Sequence, residues 1–338
     1  MGAWRTTILT LLALLSWPAT VMALTPDDFA DTIRRADRLA QLNALIIAHE
    51  GRPIVERRFR GPDLDSPVNI KSASKSVISA LVGIAIEREL LEGVDEIAVS
   101  KLGSFVSPDA DPKVRGVTIG NLLSMQSGLE RTSGAYYGRW TSSPNWVRYA
   151  LSRPFVDEPG RRMLYSTGNT HILSAVLTRA AKRSTLDLAR EWLGEPLDIR
   201  IPAWPRDPQG IYVGGNDMAL SPRALLRFGE LYRNDGTVDG RRVLSSAWIR
   251  ASWTPRTTSP FSGDDYGYGW FIAQSEGHAV YYARGYGGQL LYVLPSLALT
   301  VVITSDPTAP ARTGGYFSDI ESLLGDSIVP AVLKAQAR

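Results

Sequence analysis

From Val77 to Ile86 the side chains are apolar or small on every face a helix could present, with Ser79 and Gly83 the only breaks. A helix with no polar face has to lie inside its domain, so the rest of the chain must wrap it on all sides. With 338 residues, 44% apolar and 21% charged, there is enough chain to do so. This composition also excludes a disordered or fibrous protein.

The flanking segments suggest what does the wrapping. Thr25, Pro26 and an acidic first turn open a helix expected to run to about Leu42. Asn43 to His49 and Pro53 to Arg60 read as a β-hairpin around Glu50-Gly51. From about residue 95 to 205 the pattern is helical and loop-rich. Further helices are expected at Ser221-Pro222 and near Ser245. Strands are expected at Tyr266 to Ala273, Ala279 to Ala283, Gln289 to Leu294 and Leu297 to Thr304, and a closing helix from Ser318, with Glu321 completing a capping box. Strands at both ends and a helical block between them predict an α+β fold, with one antiparallel sheet built from both ends of the chain.

Residues 1–23 have the three parts of an export signal: Arg5, an apolar run from Thr6 to Trp17, and Val21-Met22-Ala23 as a small-residue cleavage site. The expectation is a periplasmic or secreted protein with no stable membrane span after cleavage, since the run is too short to cross a bilayer. Residues 24–338 are then one catalytic unit, a sheet lobe at about 24–90 and 206–338 and a helical lobe at about 91–205. Basic and acidic residues number 37 and 34 and are scattered, so nucleic acid is not an expected partner. Oligomeric state is not legible.

Cysteine is absent, which excludes disulfides and thiolate chemistry. The three histidines, His49, His171 and His278, are far apart, and no HExxH pattern occurs. No metal and no cofactor is implied. Gly-x-Ser-x-Gly is also missing, so the serine elbow of the α/β-hydrolases is not available. A Ser-His-Asp esterase would need one of those three histidines.

Only six lysines occur, and one of them completes Ser72-Ala73-Ser74-Lys75 at the entry of the buried helix. Three residues are nearly one helical turn, so Ser72 and Lys75 face the same way. A lysine buried there loses hydration, its pKa falls, and the neutral amine can take the serine proton. The helix N-terminus beneath Ser72 supplies N–H groups for a developing oxyanion. Read blandly, Ser72 only caps the helix and Lys75 is solvated.

Two further stretches accompany the tetrapeptide: Tyr165-Ser166-Thr167-Gly168-Asn169 after Glu158-Pro159-Gly160, and Arg284-Gly285-Tyr286-Gly287-Gly288-Gln289 before a β-run. With them the chain resembles the serine β-lactamase and penicillin-binding superfamily, on its class C-like branch of esterases, D-amino-acid peptidases and 6-aminohexanoate-dimer hydrolases. Val117 to Leu129, Tyr266-Gly267-Tyr268-Gly269-Trp270 and Ser221-Pro222-Arg223 add to the likeness, which spans about residues 40–310.

The resemblance implies a β-lactamase/transpeptidase-like fold, with the active site in a crevice between the lobes. It further implies that Ser72 forms an acyl-enzyme and that Lys75 and Tyr165 act as acid and base, an adjacent ammonium making the phenol useful at neutral pH. The backbone N–H groups of Ser72 and Gln289 would form the oxyanion hole. Thr167, Asn169, Tyr286, Gly287 and Gly288 would meet the substrate, a small-molecule ester or amide. Two positions depart from the family pattern. Thr167 stands where many relatives have asparagine, and Tyr286 stands where a carboxylate-binding lysine is expected. Both departures predict a preference for a neutral ester or amide over penicillins. β-Lactamase or D,D-peptidase activity, and an inactive relative that binds cell wall or a partner protein, are the alternatives.

Overall fold

The computed structural model describes residues 23–309 and 315–338. The export segment, Ala23 excepted, lies outside the described residues. A 3₁₀ turn at Pro26–Phe29 leads into α1, Ala30–Arg38. This helix stops short of the expected Leu42: Leu39 is already extended, and Leu42 begins β1 opposite Ser305 in the last strand. Sheet pairing claims that leucine, which is fully buried.

β1, Leu42–His49, and β2, Arg52–Arg58, form the expected hairpin. Glu50 and Gly51 both take positive φ, 52° and 80°, as a two-residue turn matched to strand twist requires. β3, Val68–Lys71, leads into α2, Ser74–Glu87, whose residues are buried without interruption from Ser74 to Ala85. The all-apolar helix is therefore the centre of the molecule.

The middle of the chain is helical: α3 Ile119–Leu123, α4 Tyr137–Thr141, α5 Trp146–Leu151, α6 Thr167–Ala181, α7 Thr185–Ala189 and α8 Glu195–Leu197. β4, Met218–Leu220, then pairs with β3. α9, Pro222–Arg233, and α10, Ser246–Ser252, start at side-chain caps on Ser221 and Ser245 as expected. Between them β5, Thr237–Val238, and β6, Arg241–Arg242, make a small hairpin. The remaining strands are β7 Thr257–Thr258, β8 Asp265–Tyr266, β9 Phe271–Ser275, β10 His278–Gly285, β11 Gln289–Leu294 and β12 Leu299–Ser305. α11, Tyr316–Leu323, and α12, Val329–Gln336, close the chain.

The main sheet is antiparallel, in the order β2-β1-β12-β11-β10-β9-β8-β7, so the first and last strands of the chain lie side by side. Alternation in β1, β11 and β12 sorts the two cores. Ile46, Leu291, Val293 and Val302 pack toward α2 and α9, whereas Leu45, Ile47, Leu290, Leu294 and Ile303 pack with Phe29, Ile320, Ile328 and Val332 of the terminal helices.

Two expected elements differ. Tyr266 to Ala273 is two strands, because Gly267 to Trp270 dips to α2, where Ser79 and Ser76 hydroxyls donate to the carbonyls of Tyr268 and Gly269 at 2.7 and 2.6 Å. The closing helix begins at Tyr316 after a left-handed Gly315, so Ser318 lies inside it and caps nothing. Among the described residues no helix is long and apolar enough to cross a membrane.

Candidate active site

Ser72 sits between the end of β3 and the start of α2. Lys71, just before it, has φ +51°, a conformation a side chain rarely adopts. Local bonds hold it there: the Asn69 carboxamide oxygen accepts from Lys71 N–H at 2.8 Å, and the Asn69 amide donates to Asp217 at 2.8 Å. Asp217 also lies 3.6 Å from the Lys71 ammonium. The strained turn fixes the direction in which Ser72 enters the cleft.

Lys75, one turn into α2, is buried at 1% exposure. Its Nζ reaches Ser72 Oγ at 3.1 Å, the Gly215 carbonyl at 2.6 Å and Thr167 Oγ1 at 3.4 Å. Burial pulls its pKa down to about 7, against an opposing pull from the Asp217 carboxylate. Near neutrality the amine can therefore keep two N–H bonds, to Gly215 and Thr167, and turn its lone pair to the Ser72 hydroxyl.

Tyr165 completes the trio. The Ser72 side chain acts on its hydroxyl, and its ring lies 4.8 Å from Lys75 Nζ and packs against Phe271 and Tyr266. Burial pushes the phenol up to about 12, against the Ser72 hydrogen bond and the Arg284 charge. Burial dominates, so the phenol is not in the neutral range expected from an adjacent ammonium. The phenol stays protonated, and the amine is the group poised to accept a proton.

These residues open onto a cleft of about 1200 Å³. Ser72, Tyr165, Thr167 and Tyr286 line it, with Gly285 beside them. The structure does not bring Asn169, Gly287, Gly288 or Gln289 to the cleft wall. Asn169 is buried and accepts from the Ser127 hydroxyl at 3.2 Å. Gly287 and Gly288 form the β10–β11 turn, with φ of 82° and 93°. Gln289 is fully buried in β11, its carboxamide bonded to Ser305 at 2.9 and 3.1 Å. Gly285 is the glycine that approaches the nucleophile: a Cβ there would stand 2.2 Å from the Ile70 carbonyl oxygen.

Several cleft residues escaped the sequence reading. Ser133, Tyr137 and Asn216 line the cleft, as do the cations Lys71 and Arg131; Arg284, which opens the glycine stretch read from the sequence, lines it too, and no Asp or Glu is found among the described lining residues. The Arg284 guanidinium stacks 3.7 Å from the Phe317 ring centroid. The cationic character expected to be lost at Tyr286 is thus present on neighbouring side chains. The pair Gly214-Gly215 followed by Asn216-Asp217 is the one sequence signal that could have flagged the strap holding Lys75.

None of the histidines reaches the cleft. His171 is fully buried against Asp207 at 3.0 Å and packs on Trp140 and Trp146, and His278 bonds Ser296 at 2.9 Å. His49 ends β1 at the hairpin. A histidine triad at this cleft has no base.

A serine–lysine–tyrosine trio between an antiparallel sheet and a helical lobe agrees with the comparison to known families, where a sequence model of the Beta-lactamase family matches residues 36–316. The chain belongs to the Beta-lactamase family. It is a serine hydrolase of that family, with the β-lactamase/transpeptidase fold. Solved structures agree on the fold. A D-stereospecific amidohydrolase from Streptomyces sp. is 18% identical with a TM-score of 0.67, the match covering 87% of this chain and 98% of that one. EstCE1, described as a hydrolase with promiscuous acyltransferase activity, is 18% identical with a TM-score of 0.70, covering 88% and 97%. A penicillin-binding protein homologue from Caulobacter crescentus is 15% identical with a TM-score of 0.70, covering 90% and 99%.

Proposed function

We propose that this protein is an exported hydrolase that cleaves an ester or amide bond of a small molecule through an acyl-enzyme on Ser72. The observation that carries the reading is the buried Lys75 amine, 3.1 Å from Ser72 Oγ, with its pKa lowered to about 7. Lys75 takes the Ser72 proton as Oγ adds to the substrate carbonyl. Tyr165, whose hydroxyl interacts with the Ser72 side chain, is the acid–base partner that holds and returns a proton there. The oxyanion donors are the backbone N–H groups of Ser72 and of Tyr286. Tyr286 replaces Gln289 in this role because β10 meets the nucleophile turn at Gly285.

Ser72→Ala is expected to abolish turnover and leave the fold intact. Intact-mass and peptide mass spectrometry with a fluorophosphonate should place one adduct on the Ser72 peptide, and an adduct elsewhere would remove Ser72 from the mechanism. An inactive binding relative would show no adduct at all. Export is supported by the three-part segment at residues 1–23. Fractionation with N-terminal sequencing should find a chain beginning at Leu24 outside the cytoplasm, and a full-length cytoplasmic chain would overturn that part of the reading.

A further inference from the structure

Lys75 is sealed from the cleft, yet a proton it takes from Ser72 must reach the departing group if an amine or alkoxide is to leave. Apart from the reacting Ser72 hydroxyl itself, a chain of hydroxyl contacts leads out. Nζ lies 3.4 Å from Thr167 Oγ1, Thr167 Oγ1 lies 2.9 Å from Ser133 Oγ, and both Thr167 and Ser133 line the cleft. Ser133 Oγ also accepts the backbone N–H of Thr167 at 2.8 Å.

Donor and acceptor capacities fit one direction of transfer. The ammonium donates to Thr167 Oγ1, whose own proton points to Ser133 Oγ. Ser133 then holds two acceptor bonds, from Thr167 N–H and Thr167 O–H, and its remaining proton is free to point into the cleft. Asparagine, the residue the family pattern would put at position 167, cannot pass a proton in this way. A threonine hydroxyl can.

We propose that Thr167 and Ser133 form a hydroxyl relay that delivers the proton from Lys75 to the leaving group, with Ser133 as the final donor. The proposal rests on the acyl-enzyme reading. In acylation Ser72 Oγ–H gives its proton to Lys75 and Oγ bonds to the carbonyl carbon. As the bond from that carbon to the leaving oxygen or nitrogen breaks with its electron pair, the leaving atom takes the Ser133 proton. Ser133 takes the Thr167 proton, Thr167 takes one from Lys75, and the amine is neutral again.

Capping the N-terminus of α6 would need only the bond from Thr167 N–H to Ser133, so a purely structural role predicts a loss that is the same for every substrate. The test is kcat/KM across one series of esters with a common acyl group and leaving groups from nitrophenol through phenol to simple alcohols. Ser133→Ala and Thr167→Val should each lose about 100-fold or more on the alcohol esters, the usual scale for a positioned acid. The loss should shrink steadily as the leaving group becomes more acidic, steepening the dependence on leaving-group pKa. Thr167→Ser, which keeps a hydroxyl, should restore most of the rate. Thr167→Val leaves the Ser133 cap acceptor in place and so serves even if Ser133→Ala folds poorly. Equal losses across the series, or no loss, in the folded variants would overturn the relay while Ser72 still accepts an adduct. If Ser72 accepts none, the acyl-enzyme reading fails and the relay falls with it.

Discussion

Lys75 owes its basicity to a balance between the core around it and one carboxylate. Burial lowers its pKa to about 7 and Asp217 opposes that shift. The amine is neutral above that value, so kcat/KM should rise with pH through about 7 and then level off. Tyr165, pushed up to about 12, should add no alkaline limb where an ordinary tyrosine titrates, near 10. Asp217→Asn removes the charge that raises the Lys75 pKa, and the acid limb should move to lower pH. A limb that stays in place or moves up would show that another group controls it. Lys75→Ala and Tyr165→Phe should each cost about 100-fold or more in kcat/KM. The proximity of Ser72 and Lys75 was legible in the sequence because the two lie within one helical turn. Gly215, Asp217 and Ser133 were not read, because they come to the site from distant segments: Gly215 and Asp217 act on Lys75 directly and Ser133 reaches it through Thr167, and only the Gly214-Gly215 pair hints at this in the local sequence.

Strand β10 meets the nucleophile turn through a single glycine. At Gly285 an added methyl would stand 2.2 Å from the Ile70 carbonyl and 3.0 Å from Lys71 Cβ, and backbone cannot yield as a flexible side chain does. Gly285→Ala should therefore push β10 off β3, costing about 1–3 kcal/mol as overpacking typically does. It should also slow the labelling of Ser72 by a fluorophosphonate, because the oxyanion donor proposed at Tyr286 would move with the strand. Wild-type stability by thermal melting together with wild-type labelling would show that the contact is not needed. Elements set by periodicity and capping were readable: the β1–β2 hairpin, α2, α9, α10 and strands β10 to β12. Those set by tertiary contacts were not. The dip between β8 and β9 depends on hydroxyls of α2, a different part of the chain. The glycine pair Gly287-Gly288 had the composition of a substrate-binding strand and proved to be a turn, since both residues need left-handed backbone.

At the scale of the whole molecule, the charges facing the cleft differ from those of the chain. The full sequence carries a formal charge of only +3, with acids and bases scattered. Lys71, Arg131 and Arg284 nonetheless line the cleft, and no acid does among the described lining residues. Lys71 is paired with Asp217, so the two arginines carry the unbalanced charge. Glu321 offsets Arg284 only in part, because its carboxylate is 3.8 Å away and half exposed. Arg131 lies 5.7 Å from the ring of Phe261, an exposed aromatic, so positive charge and apolar surface stand together at the mouth. This wall predicts a substrate with a carboxylate beside an apolar body, against the neutral ester expected from Tyr286 alone. A charge-assisted hydrogen bond contributes about 1.5–3 kcal/mol, or roughly one to two powers of ten in affinity. Between an amide with a free carboxylate and its methyl ester, the free acid should have the higher kcat/KM by that margin. The margin should narrow as salt screens the partly exposed guanidinium groups. Arg284→Ala should raise KM for the free acid and leave the methyl ester nearly as before. Preference for the methyl ester in the wild type would assign the two arginines to packing on Phe261 and Phe317, and would return the neutral-substrate expectation to first place.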